Sequence, residues 1–204
     1  MPTRRNGPVS SNVGPQNMHT LFAPVLTPEI SIQVTKLEAA ERQLDESILL
    51  HFERRDAVSI HTLASAAYQV ISDICKHKGI KREIEDSQIL DEMGIKGELL
   101  ASIRRPQNFF KHADNDPTGK VQLKPLLTMC FIMASVQYLL QLRSRQSPEC
   151  DVFRTWFFLR FPSYTPSQIS AIANARSVPI DPSDYQFFRQ TIERRRSDRG
   201  GAAA

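Results

Sequence analysis

A run of apolar residues from Leu123 to Arg145 is the sequence feature that most constrains the fold. Its Met, Leu, Ile and Val side chains fall on nearly every face of a helix, which is typical of a helix buried on all sides. Polar residues interrupt the run, so it lacks the ~18 consecutive apolar residues of a membrane span. We therefore expect it to be the longest apolar helix, with Pro125 in its first turn, at the centre of a helical bundle.

Two amphipathic helices precede this run. Thr35 and Glu38 form a T-x-x-E capping box that predicts a helix reaching about Arg55. Ser59 is the expected N-cap of a second helix, and Gly79 is placed to end it in a left-handed conformation. The connection between the two helices is short, so we expect them to form an antiparallel hairpin.

The segment at 80–103 has a less regular pattern and predicts two short helices that break near Gly94 and Gly97. Proline is favoured at the first position of a helix, and it restricts the preceding residue to extended geometry. We therefore expect Pro106 to begin a new helix that covers Gln107 to Ala113.

The C-terminal third predicts three further helices. Asp151 to Phe161 is rich in aromatic residues, which we assign to the core. Thr165 and the proline after it predict a helix that reaches Ala175, and Ser183 opens the last helix. We therefore predict an all-α fold, a single compact multi-helix domain over residues 30–196. Residues 1–29 and 197–204 have few apolar side chains and are expected to be disordered tails.

The net charge of +4 is unevenly distributed along the chain. Five arginines lie between residues 189 and 199 and two more lie at positions 4 and 5, so the rest of the chain is close to neutral. A near-neutral body argues against a large phosphate-binding face, which needs clustered Lys and Arg.

The cysteine pattern indicates the cellular compartment in which we expect the protein. The three cysteines are widely spaced and form no C-x-x-C pair, so neither a zinc site nor a disulfide framework is indicated. A reducing, cytoplasmic location fits this usage, and we expect no membrane association.

The segment from Arg104 to Gly119, RRPQNFFKHADNDPTG, carries the candidate functional residues. Histidine can act as acid or base near neutral pH, and arginine presents a planar fork of donors to a phosphate-like charge. On a helix beginning at the proline, side chains three or four residues apart share a face. The predicted catalytic residues are Arg105, His112, Asn108 and Lys111. The predicted substrate-binding residues are Arg104 and Asp114.

The pair Arg105 and His112 resembles the Arg-x(4–6)-His signature of the HEPN superfamily of small helical domains. Many members are RNases of toxin–antitoxin and phage-defence systems, in which Arg and His from two protomers meet at a dimer interface and cleave RNA without metal. The resemblance implies the same roles for this pair. The segment NFFKHAD is also similar to one shared by a group of uncharacterised bacterial proteins, which implies no activity.

Two other interpretations of the segment remain open. Asp114, Asp116, Thr118 and Gly119 match the opening of an EF-hand calcium loop, but position twelve is Pro125 rather than a bidentate Glu, so we assign no metal site. Alternatively the segment is structural, with turn-forming Asp residues and a histidine that bonds a neighbouring carbonyl.

We therefore expect an RNA-acting or nucleotide-binding protein of HEPN-like type that needs no cofactor. The expected partners are RNA or a nucleotide, a second copy of the chain, or a partner protein. The alternative is a non-enzymatic helical interaction or regulatory protein. The two hypotheses differ in whether Arg105 and His112 are exposed in one cleft or satisfied by bonds within the chain.

Overall fold

A computed structural model of the chain describes residues 31–112, 116–164 and 180–201. These residues contain no strand, so the predicted all-α class is confirmed. A short 3₁₀ turn, Pro162–Tyr164, follows the sixth helix. The α-helices of this part are, in chain order, α1 (Lys36–Phe52), α2 (Ala57–His77), α3 (Gln88–Glu92), α4 (Lys96–Lys111), α5 (Pro125–Leu142), α6 (Pro148–Arg160) and α7 (Tyr185–Gly201).

The predicted capping box opens α1. The backbone N–H of Glu38 donates to Thr35 Oγ1 (3.2 Å), and the backbone N–H of Thr35 donates to Glu38 Oε2 (2.8 Å). Each side chain thereby satisfies a backbone donor that has no partner within the helix. The helix ends at Phe52, three residues before the predicted end at Arg55.

The second helix starts earlier than the sequence predicts. Asp56, not Ser59, is the N-cap of α2, because its Oδ1 accepts the N–H of Ser59 (3.0 Å). At the other end Gly79 adopts φ = 67°, which confirms the predicted left-handed stop. The two helices pack against each other as the expected antiparallel hairpin.

The central helix α5 packs against α2, with further contacts to α1, α4 and α6. It has 18 residues and is shorter at both ends than the predicted run from Leu123 to Arg145. The prediction that it is buried on most sides is confirmed, and Pro125 occupies its first turn. Its fully buried side chains with less than 2% exposure are Thr128, Phe131, Ile132, Ser135, Val136 and Tyr138.

By length and composition α5 is also apolar enough to cross a membrane, with a mean hydropathy of 1.5 over its 18 residues. However, 56% of that stretch is buried against the rest of the fold. A buried core helix of a soluble protein has this character, so α5 is weak evidence for a membrane segment.

Helix α4 differs most from its prediction. The break near Gly94 is observed, but Gly97 lies in the first turn of α4, and Pro106 lies inside the helix instead of opening a new one. An interior proline costs a hydrogen bond and a steric clash. Here the ring of Pro106 is buried beside Ile103, and apolar burial offsets part of that cost.

The C-terminal helices α6 and α7 pack together, with Phe188 and Ile192 buried. The last helix begins at Tyr185, not Ser183, and continues to Gly201, so residues 197–201 are helical where a tail was expected. The Arg199 guanidinium donates to the backbone oxygen of Gln146 (2.7 Å), which holds this last turn. The predicted helix Thr165–Ala175, the tail 1–29 and residues 202–204 lie outside the described residues.

A buried histidine joins three helices. His61 of α2 is 2% exposed, and its Nε2 lies 3.2 Å from the carbonyl oxygen of Ile103 on α4. A carbonyl oxygen only accepts, so Nε2 carries the hydrogen and Nδ1 accepts from the hydroxyl of Thr128 on α5, 2.9 Å away. Burial lowers the pKa of His61, although the bond to the Ile103 carbonyl opposes this.

Replacing this histidine is expected to loosen the bundle. His61→Ala leaves buried partners on α4 and α5 without a hydrogen bond, which costs about 1–3 kcal/mol of unfolding free energy. His77→Ala, at an exposed position near the end of the same helix, is the matched control and should unfold like the wild type. Denaturant unfolding measures both variants, and equal midpoints would contradict the role given to His61.

Candidate functional site

Five of the predicted site residues lie along one exposed face of α4. Because α4 begins at Lys96, this face includes the two arginines that the sequence prediction left outside the helix. The spacings of three, four and seven residues put these side chains on neighbouring turns of the same side. We call this the α4 polar face: Arg104, Arg105, Asn108, Lys111 and His112, all of them exposed.

The side chains of the α4 polar face are largely without partners inside the described part of the chain. Arg105 forms one loose ion pair, 3.6 Å from Glu98, and both side chains are about 70% exposed (69% and 72%). His112 caps the C-terminus of α4, and its backbone N–H donates to the carbonyl of Asn108 (3.1 Å). Among the described residues, the loose pair with Glu98 is the one side-chain bond of Arg105, and the His112 side chain has none. A structural role for the two residues would need stronger bonds within the chain than these.

The two central residues of the face lie at different heights along α4. Arg105 and His112 are seven residues apart, which corresponds to about 10 Å along a helix axis at 1.5 Å per residue. Within one chain they are therefore about two helical turns apart.

The acidic residues of the predicted segment add little to the site. Asp114 lies outside the described residues. Asp116 is exposed, and its carbonyl accepts the N–H of Gly119 (3.3 Å), as expected for a turn. Within the described ranges, no three His, Cys, Asp or Glu side chains cluster in a way that could hold a metal ion.

A second polar cluster, missed by the sequence analysis, lies where α1 meets the start of α6. Ser147 caps α6 by accepting the N–H of Cys150 (3.2 Å), and its hydroxyl donates to Asp45 Oδ1 (2.6 Å). The thiol of Cys150 lies 3.6 Å from the same oxygen. Burial raises the pKa of Asp45 to about 7, although the Ser147 hydroxyl opposes the shift. Helical periodicity along α1 does not reveal that a later helix will cover Asp45.

Comparisons with protein-family models, with curated proteins and with solved structures give no match to this chain. A function can therefore be inferred only from the geometry of the α4 polar face and of the other polar sites in the structure.

The Asp45 cluster gives a prediction for stability against pH. The folded-state pKa of about 7 exceeds the ordinary 3.8, so the folded state binds this proton more tightly. The stability that Asp45 contributes is therefore full below pH 3.8 and is lost as the pH rises through about 7. Asp45→Asn keeps an acceptor for Ser147 but does not ionise.

We expect the variant to become progressively more stable than the wild type between pH 4 and pH 7, by about 1.4 kcal/mol for each pH unit, and the difference to level off above pH 7. Asp73→Asn, at an exposed position on α2, is the control without this trend. Thermal unfolding of the wild type and both variants across this pH range measures the trend. A difference in melting temperature between Asp45→Asn and the wild type that does not change with pH would refute the prediction.

Proposed function

We propose that this protein acts on RNA through the α4 polar face, as a metal-independent ribonuclease of HEPN-like type in a bacterial toxin or phage-defence system. Its site would be completed by a second copy of the chain, in the cytoplasm. The observation that carries the proposal is the exposure of Arg105 and His112 on one face of α4, flanked by further phosphate-binding side chains.

The residues of the face suit phosphate chemistry. Arg104 and Lys111 supply positive charge for the backbone of a nucleic acid, and Asn108 supplies an amide between them. Arg105 presents a forked donor to the charge that builds up on the phosphate, and its pairing with Glu98 is loose enough to exchange for a substrate. His112 is the residue able to transfer a proton.

The proposed reaction uses groups already present in RNA. The 2′-hydroxyl gives up its proton to a histidine, and its oxygen forms a bond to phosphorus. The bond between phosphorus and the 5′-oxygen breaks, and that oxygen receives a proton. The products are a 2′,3′-cyclic phosphate and a 5′-hydroxyl, with no net oxidation or reduction and no further reactant.

The separation of Arg105 and His112 along α4 favours a site shared between two chains. Two-fold symmetry brings the same face of both protomers together, so that Arg105 of one copy lies opposite His112 of the other. Two equivalent composite sites result. This arrangement removes the separation of about 10 Å that seven helical residues impose within one chain.

Single substitutions test the catalytic assignment. His112→Ala and Arg105→Ala should each abolish cleavage of RNA in the presence of EDTA, with little change in melting temperature because both side chains are exposed. Lys111→Ala should reduce activity less, because its charge assists binding without transferring a proton. His77→Ala, another exposed histidine, is the matched control and should cleave normally.

Subunit mixing tests whether the site is shared. In a heterodimer of Arg105→Ala and His112→Ala chains, one composite site is intact and the other carries both substitutions. Random exchange of subunits should therefore restore about a quarter of the wild-type activity to a mixture of two inactive proteins, as two-fold symmetry requires. A mixture that stays inactive although subunits exchange would place both residues of a site in one chain and contradict the dimeric arrangement.

The second candidate is a non-enzymatic interaction protein. Ile89 and Met93, on and beside the short helix α3, are 68% and 62% exposed, and Ile95 nearby is 43% exposed. Exposed apolar side chains in one region favour contact with another protein. This candidate is preferred if the wild-type protein neither binds nor cleaves RNA at any concentration while its fold is intact.

A further inference from the structure

A cavity of about 400 Å³ opens beside the C-terminal end of α1, away from the α4 polar face. Its walls come from the end of α1, the first turns of α2 and α5, the end of α6 and the start of α7. Its volume falls within the range of about 300–1,000 Å³ that is usual for small-molecule sites. None of the residues that line it belongs to α4, so it is independent of the proposed RNA site.

Three arginines, Arg54, Arg55 and Arg160, line the cavity, and none of the described residues lining it is acidic. No carboxylate in the described part of the chain pairs with any of the three. Several other arginines in the described part of the chain do pair with a carboxylate: Arg143 pairs with Glu41 at 2.7 Å, for example. Three unpaired guanidinium groups around one cavity make it a site for an anion.

The backbone at Arg54 departs from what the chain does elsewhere. Helices α1, α2 and α3 all end in the same motif, in which the residue after the C-cap adopts a left-handed conformation. Gly79 and Gly94 take this position with φ = 67° and 68°, whereas Arg54 takes it with φ = 56°. A side chain in this conformation is strained relative to glycine, because its Cβ lies too close to the following carbonyl oxygen. The chain thus keeps an arginine at the cavity where glycine would be less strained.

The aromatic side chains in the cavity wall favour a ligand that contains a flat ring. Phe161 and Tyr185 are part-exposed, and the guanidinium groups of Arg160 and Arg54 lie over their faces, 5.4 and 5.3 Å from the ring centres. His51 also lines the cavity, and its Nε2 is buried without a hydrogen-bond partner among the described residues. Burial lowers the pKa of His51 to about 4, so its ring is neutral at pH 7 and adds no charge to the wall.

We propose that this arginine cavity binds a mononucleotide, with the phosphate held by Arg54, Arg55 and Arg160 and the base against the aromatic wall beside His51. The guanidinium groups provide forked donors for phosphate oxygens. The rings provide a surface that accepts any base by stacking.

The single tryptophan of the chain gives a direct readout of binding. Trp156 lines the cavity, and its ring centre lies 4.5 Å from that of His51. Titration with adenosine monophosphate should quench its fluorescence to saturation. Adenosine, which lacks the phosphate, and inorganic phosphate, which lacks the base, should each bind about tenfold or more weakly, because each forgoes one set of contacts.

The Arg54→Gly substitution tests ligand binding without destabilising the fold. Glycine adopts the left-handed conformation freely, so the melting temperature should stay the same or rise. The affinity for adenosine monophosphate should nevertheless fall about tenfold, through loss of one charged hydrogen-bond donor. Arg160→Ala, on ordinary helical backbone, should show the same loss. Arg42→Ala, an exposed arginine of α1 outside the cavity, is the control and should bind as the wild type does.

Three results would overturn the proposal. The first is the absence of saturable quenching by adenosine monophosphate. The second is equal affinity for adenosine monophosphate and for either adenosine or inorganic phosphate. The third is unchanged affinity in folded Arg54→Gly and Arg160→Ala proteins. None of these results depends on RNA cleavage, so the test is separate from that of the proposed ribonuclease.

Discussion

The position of α4 depends on the hydrogen bonds of one buried histidine. Only Ile103 and Pro106 of this helix are fully buried, so α4 has a small apolar contact with the bundle. His61 adds a directional link by joining the Ile103 carbonyl to Thr128 of the central helix. The imidazole must be neutral to accept the hydrogen bond from the Thr128 hydroxyl. Burial lowers the pKa of His61 and so keeps the ring in this neutral form. A face that carries phosphate chemistry needs such a fixed base, since small displacements of reacting groups are costly.

Several arginines of the described residues fall into two groups with different environments. In one group a carboxylate neutralises the charge, as in the contact of Arg196 with the buried Glu149 or the pair Arg82 and Asp86, 2.6 Å apart. In the other group, around the arginine cavity and along the α4 polar face, little neutralisation occurs. The near-neutral total charge of the body argued against a phosphate-binding face, but total charge does not report where ions are paired. Local pairing, which only the fold reveals, decides where an anion can bind.

The features that the sequence predicts well depend on residues close together in the chain. The capping box at Thr35, the stop at Gly79 and the first-turn Pro125 follow from local backbone requirements, and all three are observed. Pro106 was misplaced because the local preference for the first turn was overruled by burial of its ring. Arg54 carried no local signal at all, since sequence rules expect glycine in a left-handed position.

The α4 polar face was predicted in composition but not in extent, because the start of α4 was placed ten residues too late. The arginine cavity could not be predicted, since its residues come from five helices and from the connection after α1. The two proposed sites would hold anions by different means. The exposed face would rely on charges that salt screens over about 8–10 Å, so contacts there would be individually weak and would have to be numerous. In the cavity, guanidinium groups and rings would displace water from around a bound ligand, where each charged contact is stronger. A long polyanion would suit the first site and a single small anion the second, so their ligands would not compete.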